Sequence, residues 1–201
     1  MMAKLFLMRH GETLFNTQKR VQGACDSPLT ELGIEQAALA KFYFEQEGIR
    51  FDDVYSSTQE RATDTAKIVS GRDQVVQHKG LKEMSFGQFE AQPEMLLPKF
   101  REGAISYEDL LVPFGGEDIR QVGHRVHQAV AEVMSTSTAE NSLMVSHGAA
   151  MWGLMLELGI SFPPGVYFSN CAICQFEVAE DASLKLEKLI LPTQDSKTYN
   201  F

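Results

Sequence analysis

The chain has 201 residues, 44% hydrophobic and 22% charged, with a formal net charge of −9. That length and balance fit one globular domain, 1–201, with a sizeable core, and the acidity argues against nucleic acid, whose binders carry basic patches. No apolar run reaches the ~20 residues of a membrane span and the first residues lack a secretory signal pattern, so no membrane association and a cytoplasmic location are expected.

In chain order, the apolar run Leu5-Phe6-Leu7-Met8 predicts a first strand over 4–8. A helix over 31–47 follows, with Thr30 as its N-cap, Gly48 as its stop and Leu32, Leu39, Phe42 and Tyr43 at helical spacing. Next come a strand over 53–56, a helix over 59–70 closed by Gly71, and a strand over 75–77. Residues 88–118 read as irregular, with Pro93, Pro98, Pro113, Gly115 and Gly116. They carry Met95, Leu96, Leu97, Phe100, Tyr107, Leu110, Leu111 and Phe114, so a lid-like insertion is expected there. A helix over 119–134 is capped by Asp118, and a strand over 143–146 leads into a helix ending near 158. Strands over 172–178 and 184–191 read as a hairpin. Alternating strands and helices imply an α/β fold, a three-layer α/β/α sandwich with a mostly parallel sheet and an antiparallel edge.

Three strand ends carry the chemistry. The first strand stops at Arg9-His10-Gly11-Glu12-Thr13, which sets a permanently charged fork and an imidazole at the carboxyl end of a strand, where open α/β sheets bind ligands. The strand over 143–146 runs into Ser146-His147-Gly148 and then a helix. The strand over 53–56 ends in Ser56-Ser57 and opens a helix carrying Arg61. Helix N-termini supply free N–H groups suited to an anion. Two His and two Arg converging in an acidic body make a local positive cleft.

Other motifs read as structure. Cys171-Ala172-Ile173-Cys174 spells C-x-x-C, but residues i and i+3 on a strand point to opposite faces, so buried thiols are expected instead of zinc or redox chemistry. His124 and His127 lie at i, i+3 on a helix without the carboxylate of a zinc motif and read as surface residues.

The strand-end segments resemble the histidine phosphatase superfamily, the phosphoglycerate-mutase-like proteins, over about Lys4 to Ile190. Arg9-His10-Gly11-Glu12-Thr13 with Asn16 is similar to that family's nucleophile loop. Gln22-Gly23, Asp26-Ser27-Pro28-Leu29-Thr30 with Gly33, Gln36 and Ala37, and Ser56-Ser57 with Arg61-Ala62 and Thr65-Ala66 follow in the family's order. Leu81-Lys82-Glu83 with Gly87 and Glu90, then Gly115-Gly116-Glu117 and Ser146-His147-Gly148, complete it. Phe89 and Ala91 stand where Trp and Gly are common, Asp118 where Ser is, and Trp152 where a basic residue is frequent. These departures bear on the substrate more than on the chemistry.

The resemblance implies hydrolysis of a small phosphomonoester through a phosphohistidine; the sequence shows no P-loop, Gly-rich dinucleotide motif or metal carboxylate cluster, so no metal and no organic cofactor are expected. His10 is the expected nucleophile, and Arg9, Arg61 and His147 the expected ligands of the nonbridging oxygens. Asn16, Gly23, Ser57 and Gly148 are expected as secondary phosphate contacts. The leaving alkoxide needs a proton. The residues alone leave Glu83, Glu12, Glu90 and Glu117 open as its source, and the family pattern favours Glu83. Two other readings compete. A phosphoglycerate mutase-type transfer would need further cations, and the insertion offers only Lys99 and Arg101. A noncatalytic phospholigand-binding module would not need the full set of His10, Arg9, Arg61, His147 and Glu83. The apolar insertion is expected to set substrate preference, through Phe100 and Leu111 among others. Oligomeric state is not legible.

Overall fold

The computed structural model describes residues 3–201. Seven strands appear among them: β1 (Ala3–Arg9), β2 (Asp53–Ser56), β3 (Val76–Gln77), β4 (Asn141–Ser146), β5 (Ile173–Val178), β6 (Leu184–Leu191) and β7 (Lys197–Asn200). The helices are α1 (Leu14–Thr17), α2 (Glu31–Gln46), α3 (Glu60–Ser70), α4 (Ile119–Met134) and α5 (Gly148–Glu157). One mixed sheet runs β3-β2-β4-β1-β5-β6-β7. Its first four strands are parallel, and β5, β6 and β7 continue it antiparallel. The α/β sandwich of the sequence reading is thus present. Its antiparallel side is wider than a hairpin, because β7 pairs with β6 and β5 joins β1 directly.

The sheet is covered on both faces. On one, Val122, Val126 and Val130 of α4 and Leu154 of α5 pack on Leu5, Leu7 and Met144. On the other, Ala37, Ala40 and Phe44 of α2 and Ala62, Ala66 and Val69 of α3 pack on Phe6, Met8, Leu143 and Val145. Alternate residues of β1 therefore serve opposite cores, as a doubly covered strand requires. Cys171 belongs to one core and Cys174 to the other, and burial pushes the Cys171 thiol up to about 12. Among the described residues no helix is long and apolar enough to cross a membrane.

The helix ends follow their sequence signals. Thr30 accepts from the Gly33 N–H at 3.0 Å, Asp118 from the Arg120 N–H at 2.8 Å, and Gly71 closes α3 in the left-handed region at φ 68°. The face of α2 does not. Leu32, Leu39 and Phe42 are exposed, whereas Gly33, Ala37, Ala40 and Phe44 are buried. The cause is a close approach: a Cβ on Gly33 would lie 2.0 Å from the Glu12 carbonyl oxygen, and one on Gly11 would lie 2.4 Å from the Gly33 carbonyl oxygen. Small residues let α2 settle against the loop after β1, and that contact fixes which face turns inward.

Residues 88–118 form short 3-10 turns, including Glu94–Leu96 and Val112–Phe114, and are held to the preceding loops. The Val21 N–H donates to Gln92 O at 2.8 Å, and aromatic edges join Phe86 to Tyr107, Phe100 to Tyr107 and Phe89 to Phe114. Leu111 is fully buried and belongs to the core, so it is not the cleft wall the sequence suggested. Met95 is 88% exposed and lines no cleft described below.

Parallel pairing brings the functional strand ends level. Arg9 of β1 lies opposite Ser146 of β4, and Ser56 of β2 opposite Val145. After β1 the chain passes to α2 on one face, and after β4 to α5 on the other. The crevice between β1 and β4 is thus a topological switch point, where an open α/β sheet leaves room for a ligand.

Candidate active site

His10 follows β1 with its backbone fixed on three sides. Its N–H donates to Ser146 O at 3.1 Å, and its carbonyl accepts from the Asn170 Nδ2 at 3.2 Å and the Cys171 N–H at 3.3 Å. The ring is set equally firmly. Nδ1 lies 2.7 Å from Gly11 O, an acceptor only, so Nδ1 carries the proton and donates. Nε2 is then the bare nitrogen, and it accepts from Arg61 Nε at 3.3 Å. Burial, followed by the charges of Arg61 and Arg9, holds the His10 pKa well below the ordinary imidazole value. The result is a neutral imidazole with its Nε2 lone pair held against a cation.

His147 sits at the end of β4, its ring centre 5.1 Å from that of His10, and is fully buried. Its Nε2 lies 2.7 Å from Ser57 Oγ, and that hydroxyl already accepts from the Gln59 N–H at 3.3 Å. Among the described residues Nε2 is the one acceptor within reach of the buried Ser57 hydroxyl, so Ser57 donates to Nε2 and the proton of His147 resides on Nδ1. That atom is buried without a hydrogen-bond partner. Burial first, then Arg61, keeps His147 well below the usual imidazole pKa.

Arg61, on the first turn of α3, is the largest fully buried side chain. Its Nη1 donates to Cys25 O at 3.0 Å and to Asp26 Oδ1 at 2.7 Å, and its Nη2 to Gly23 O at 3.1 Å and Gln22 O at 3.4 Å. With Nε on His10, every donor of the fork is engaged. Arg9 is anchored by one bond, from Nη1 to Phe168 O at 2.6 Å, and its buried Nε has no partner.

A cleft of about 510 Å³ opens over these groups, lined by Arg9, His10, Asn16, Glu83 and Gly148 among others. Glu83 is 9% exposed. Its Oε1 accepts from the Met84 N–H at 2.8 Å and the Ala150 N–H at 2.8 Å, and its Oε2 from the Ala149 N–H at 3.1 Å. It thereby caps α5. Burial raises its pKa above the ordinary carboxylate value, against the pull of those N–H groups and of Arg61. Asn16 accepts at Oδ1 from the Thr13 N–H at 3.1 Å in the capping box of α1, and lines the cleft.

Residues 5–189 match the family model of the histidine phosphatase superfamily, branch 1. The chain belongs to the histidine phosphatase superfamily. The probable phosphoglycerate mutase GpmB of Yersinia pestis is 32% identical over 191 residues, covering 89% of this chain and 86% of the relative. Among solved structures, a phosphoglycerate mutase from Bacillus anthracis superposes with a TM-score of 0.77 at 27% identity, covering 92% of this chain and 91% of that one. A phosphoserine phosphatase from Entamoeba histolytica, solved in complex with 3-phosphoglyceric acid, gives 0.72 at 28% identity over 94% of this chain and 96% of that one.

In this member of the superfamily the structure gathers most, but not all, of the residues expected at the site. His10, Arg9, Glu83, Asn16 and Gly148 line the cleft, while His147, Arg61 and Ser57 are buried side chains bonded to one another or to His10. Gly23 differs. Its N–H donates to Glu90 Oε2 at 3.1 Å, and its carbonyl accepts from Gln59 and Arg61. A Cβ there would lie 2.2 Å from Met84 O, so Gly23 serves the packing of its loop. The rival acids are also accounted for. Glu12 bonds Thr30 Oγ1, Glu117 bonds Arg125 and the Ser85 N–H, and Glu90 accepts from the Gly23, Ala24, Cys25 and Phe86 N–H groups.

Three residues carried no sequence signal. Gln59 links the halves of the site, donating to Gly23 O at 2.6 Å and accepting from the Glu83 N–H at 2.9 Å. Arg20 and Glu94 add one charge of each sign to the cleft wall. Gln59 stands on a helix cap, and Arg20 and Glu94 in loops brought together by an isolated bridge between Arg20 and Pro93. No spacing rule reports such a meeting. His124 and His127 both face Glu157 on the helix surface.

Proposed function

We propose that this protein is a phosphomonoesterase that works through a phosphohistidine on His10 Nε2. The observation that carries the reading is the bare, neutral Nε2 of His10, held at the cleft floor by Arg61. In the first step the Nε2 lone pair attacks phosphorus, the bond to the alcohol oxygen breaks, and Glu83 gives its proton to the departing alkoxide. In the second, the Glu83 carboxylate takes a proton from water, the hydroxide attacks phosphorus, and the P–N bond returns its electrons to Nε2. Glu83 suits both roles, because burial raises its pKa and an incoming phosphate dianion raises it further.

Arg9 and His147 bind the nonbridging oxygens in this scheme. Each holds a buried nitrogen without a partner, Nε of Arg9 and Nδ1 of His147. Arg61 keeps its charge beside the transferred group while the 22–26 loop holds it still. Asn16 and the Gly148 backbone at the start of α5 are the secondary contacts. Ser57 acts through His147, and Gly23 through the loop. The scheme calls for no metal ion and no organic cofactor, and a cytoplasmic small-molecule ester is the proposed partner.

Water, not a returning sugar acid, is the acceptor we propose. A mutase must hold a second anionic group, and the cleft offers only Arg20 beyond the phosphate-binding set, with Glu94 on the same wall. Arg20 is itself bonded through Nε to Ala91 O at 2.7 Å. Arg101 of the insertion is engaged by Glu108 and Asp109. The test is one incubation with 3-phosphoglycerate and one with an aryl phosphate, assayed for inorganic phosphate and for the isomeric phosphoglycerate. Phosphate release without isomerisation is expected. Isomerisation outrunning release would assign the mutase reaction.

A further inference from the structure

Beside the phosphate cleft lies a second hollow of about 320 Å³, at the small end of the range for ligand pockets. The two share Tyr107, Gly148 and Ala149 as a common wall. Trp152, Phe168, Phe100, Tyr107, Val166 and Met84 form most of the surround, and no charged side chain is among its lining residues. The aromatic walls are braced. Trp152 stacks on Phe162 with ring centres 5.9 Å apart and meets Phe168 edge-on at 5.9 Å, and Phe100 meets Tyr107 edge-on at 4.6 Å.

We infer that this hollow receives the alcohol part of the substrate, and that the preferred esters are those of alcohols with a compact aromatic or hydrocarbon body. The inference rests on the phosphomonoesterase reading and adds the substrate class to it. Geometry supplies the first reason. The shared wall includes Gly148 and Ala149, the first residues of α5, and Ala149 donates to Glu83, the proposed proton donor. An ester oxygen protonated by Glu83 thus leaves toward the hollow. Chemistry supplies the second. A carboxylate-bearing body entering the hollow would lose its hydration and meet no cation there, whereas an apolar ring would trade water for aromatic faces.

The chain's one tryptophan is Trp152, so its fluorescence reports the hollow without background from another indole. The probes are benzylphosphonate and ethylphosphonate, which are not hydrolysed. Against turnover of an aryl phosphate, benzylphosphonate is expected to inhibit at least tenfold more tightly, about 1.4 kcal/mol. It should also change the Trp152 emission with the same saturation constant. Ethylphosphonate should saturate inhibition and leave the emission unchanged. Phe100→Ala should remove most of the difference between the probes, because Phe100 lines the hollow and not the phosphate cleft. Equal inhibition constants, or inhibition by benzylphosphonate with unchanged emission, would overturn the inference and leave the phosphomonoesterase reading standing. Failure is told apart from the other side by turnover itself: if benzylphosphonate binds and shifts the emission but no ester is hydrolysed, the hollow stands and the phosphatase reading falls.

Discussion

Glu90 never touches the cleft, yet the structure gives it control over Arg61. Its Oε1 accepts from the Ala24 N–H at 2.7 Å and the Phe86 N–H at 2.8 Å, and its Oε2 from the Gly23 N–H at 3.1 Å and the Cys25 N–H at 3.0 Å. That clamp shapes the 22–26 loop, whose carbonyls and Asp26 grip the Arg61 guanidinium. Glu90→Gln is nearly isosteric but replaces one acceptor oxygen by a donor, so two of these four N–H groups face an NH2. Hydrogen bonds to a charged group are worth ~1.5–3 kcal/mol each. Losing two, discounted because the site is only half-buried, gives a destabilisation of about 2–4 kcal/mol. Urea unfolding with an unchanged m-value measures it. Activity should fall as well, mainly in kcat/KM, since Arg61 loses its frame. The effect has a pH signature. Burial tends to raise the Glu90 carboxyl, but Cys25 and the backbone N–H groups hold it below its ordinary value. Its stabilisation is therefore full above the unfolded carboxylate pKa and is lost as pH falls through the folded one, so wild type and Glu90→Gln should converge in stability in acid. A change below about 0.5 kcal/mol at neutral pH, the scale of an ordinary surface substitution, would refute the clamp.

Arg61→Ala should lower kcat/KM by at least a hundredfold, about 3 kcal/mol of transition-state stabilisation; a loss under tenfold would place Arg61 outside the chemistry. Glu83→Gln should slow alkyl phosphates far more than an activated aryl phosphate, because a good leaving group departs without a proton; equal losses would remove Glu83 from the acid role. His10 and His147 are held neutral in the folded protein, so the unfolded chain binds protons the native one refuses below the ordinary imidazole pKa of ~6.5. Stability should fall with pH there, and His10→Gln should remove one proton's share of the slope, roughly 1.4 kcal/mol per pH unit. Identical slopes in thermal or urea unfolding between pH 5 and 6.5 would contradict the neutral assignment.

The candidate site was legible from sequence because it sits where a short apolar strand stops. Leu5-Phe6-Leu7-Met8 reads as a central, doubly covered strand, which delivers His10 to the carboxyl end of the sheet, and the same logic places Ser146-His147 and Ser56-Ser57. Caps at Thr30 and Asp118 were legible for an equally local reason. What required the fold was long-range. The inward face of α2 is chosen by the Gly11–Gly33 approach, not by Leu32, Leu39 and Phe42. α1 is a single turn, and β7 is a polar edge strand, Lys-Thr-Tyr-Asn, with little apolar pattern to show. Leu111 looked like a cleft residue and is core, while Gln59 looked like nothing and joins Gly23 to Glu83. Apolar residues in an insertion reveal that it packs, not which side of it faces a ligand.

The central claim is that His10 Nε2 carries the phosphoryl group. Protein mixed with an ester labelled in its phosphoryl group and quenched within one turnover tests it most directly. Label is expected on the protein, stable in base, lost in acid and located at His10, and a folded His10→Ala protein should neither take up label nor turn over. Label on any other residue, or substantial turnover by folded His10→Ala, would contradict it.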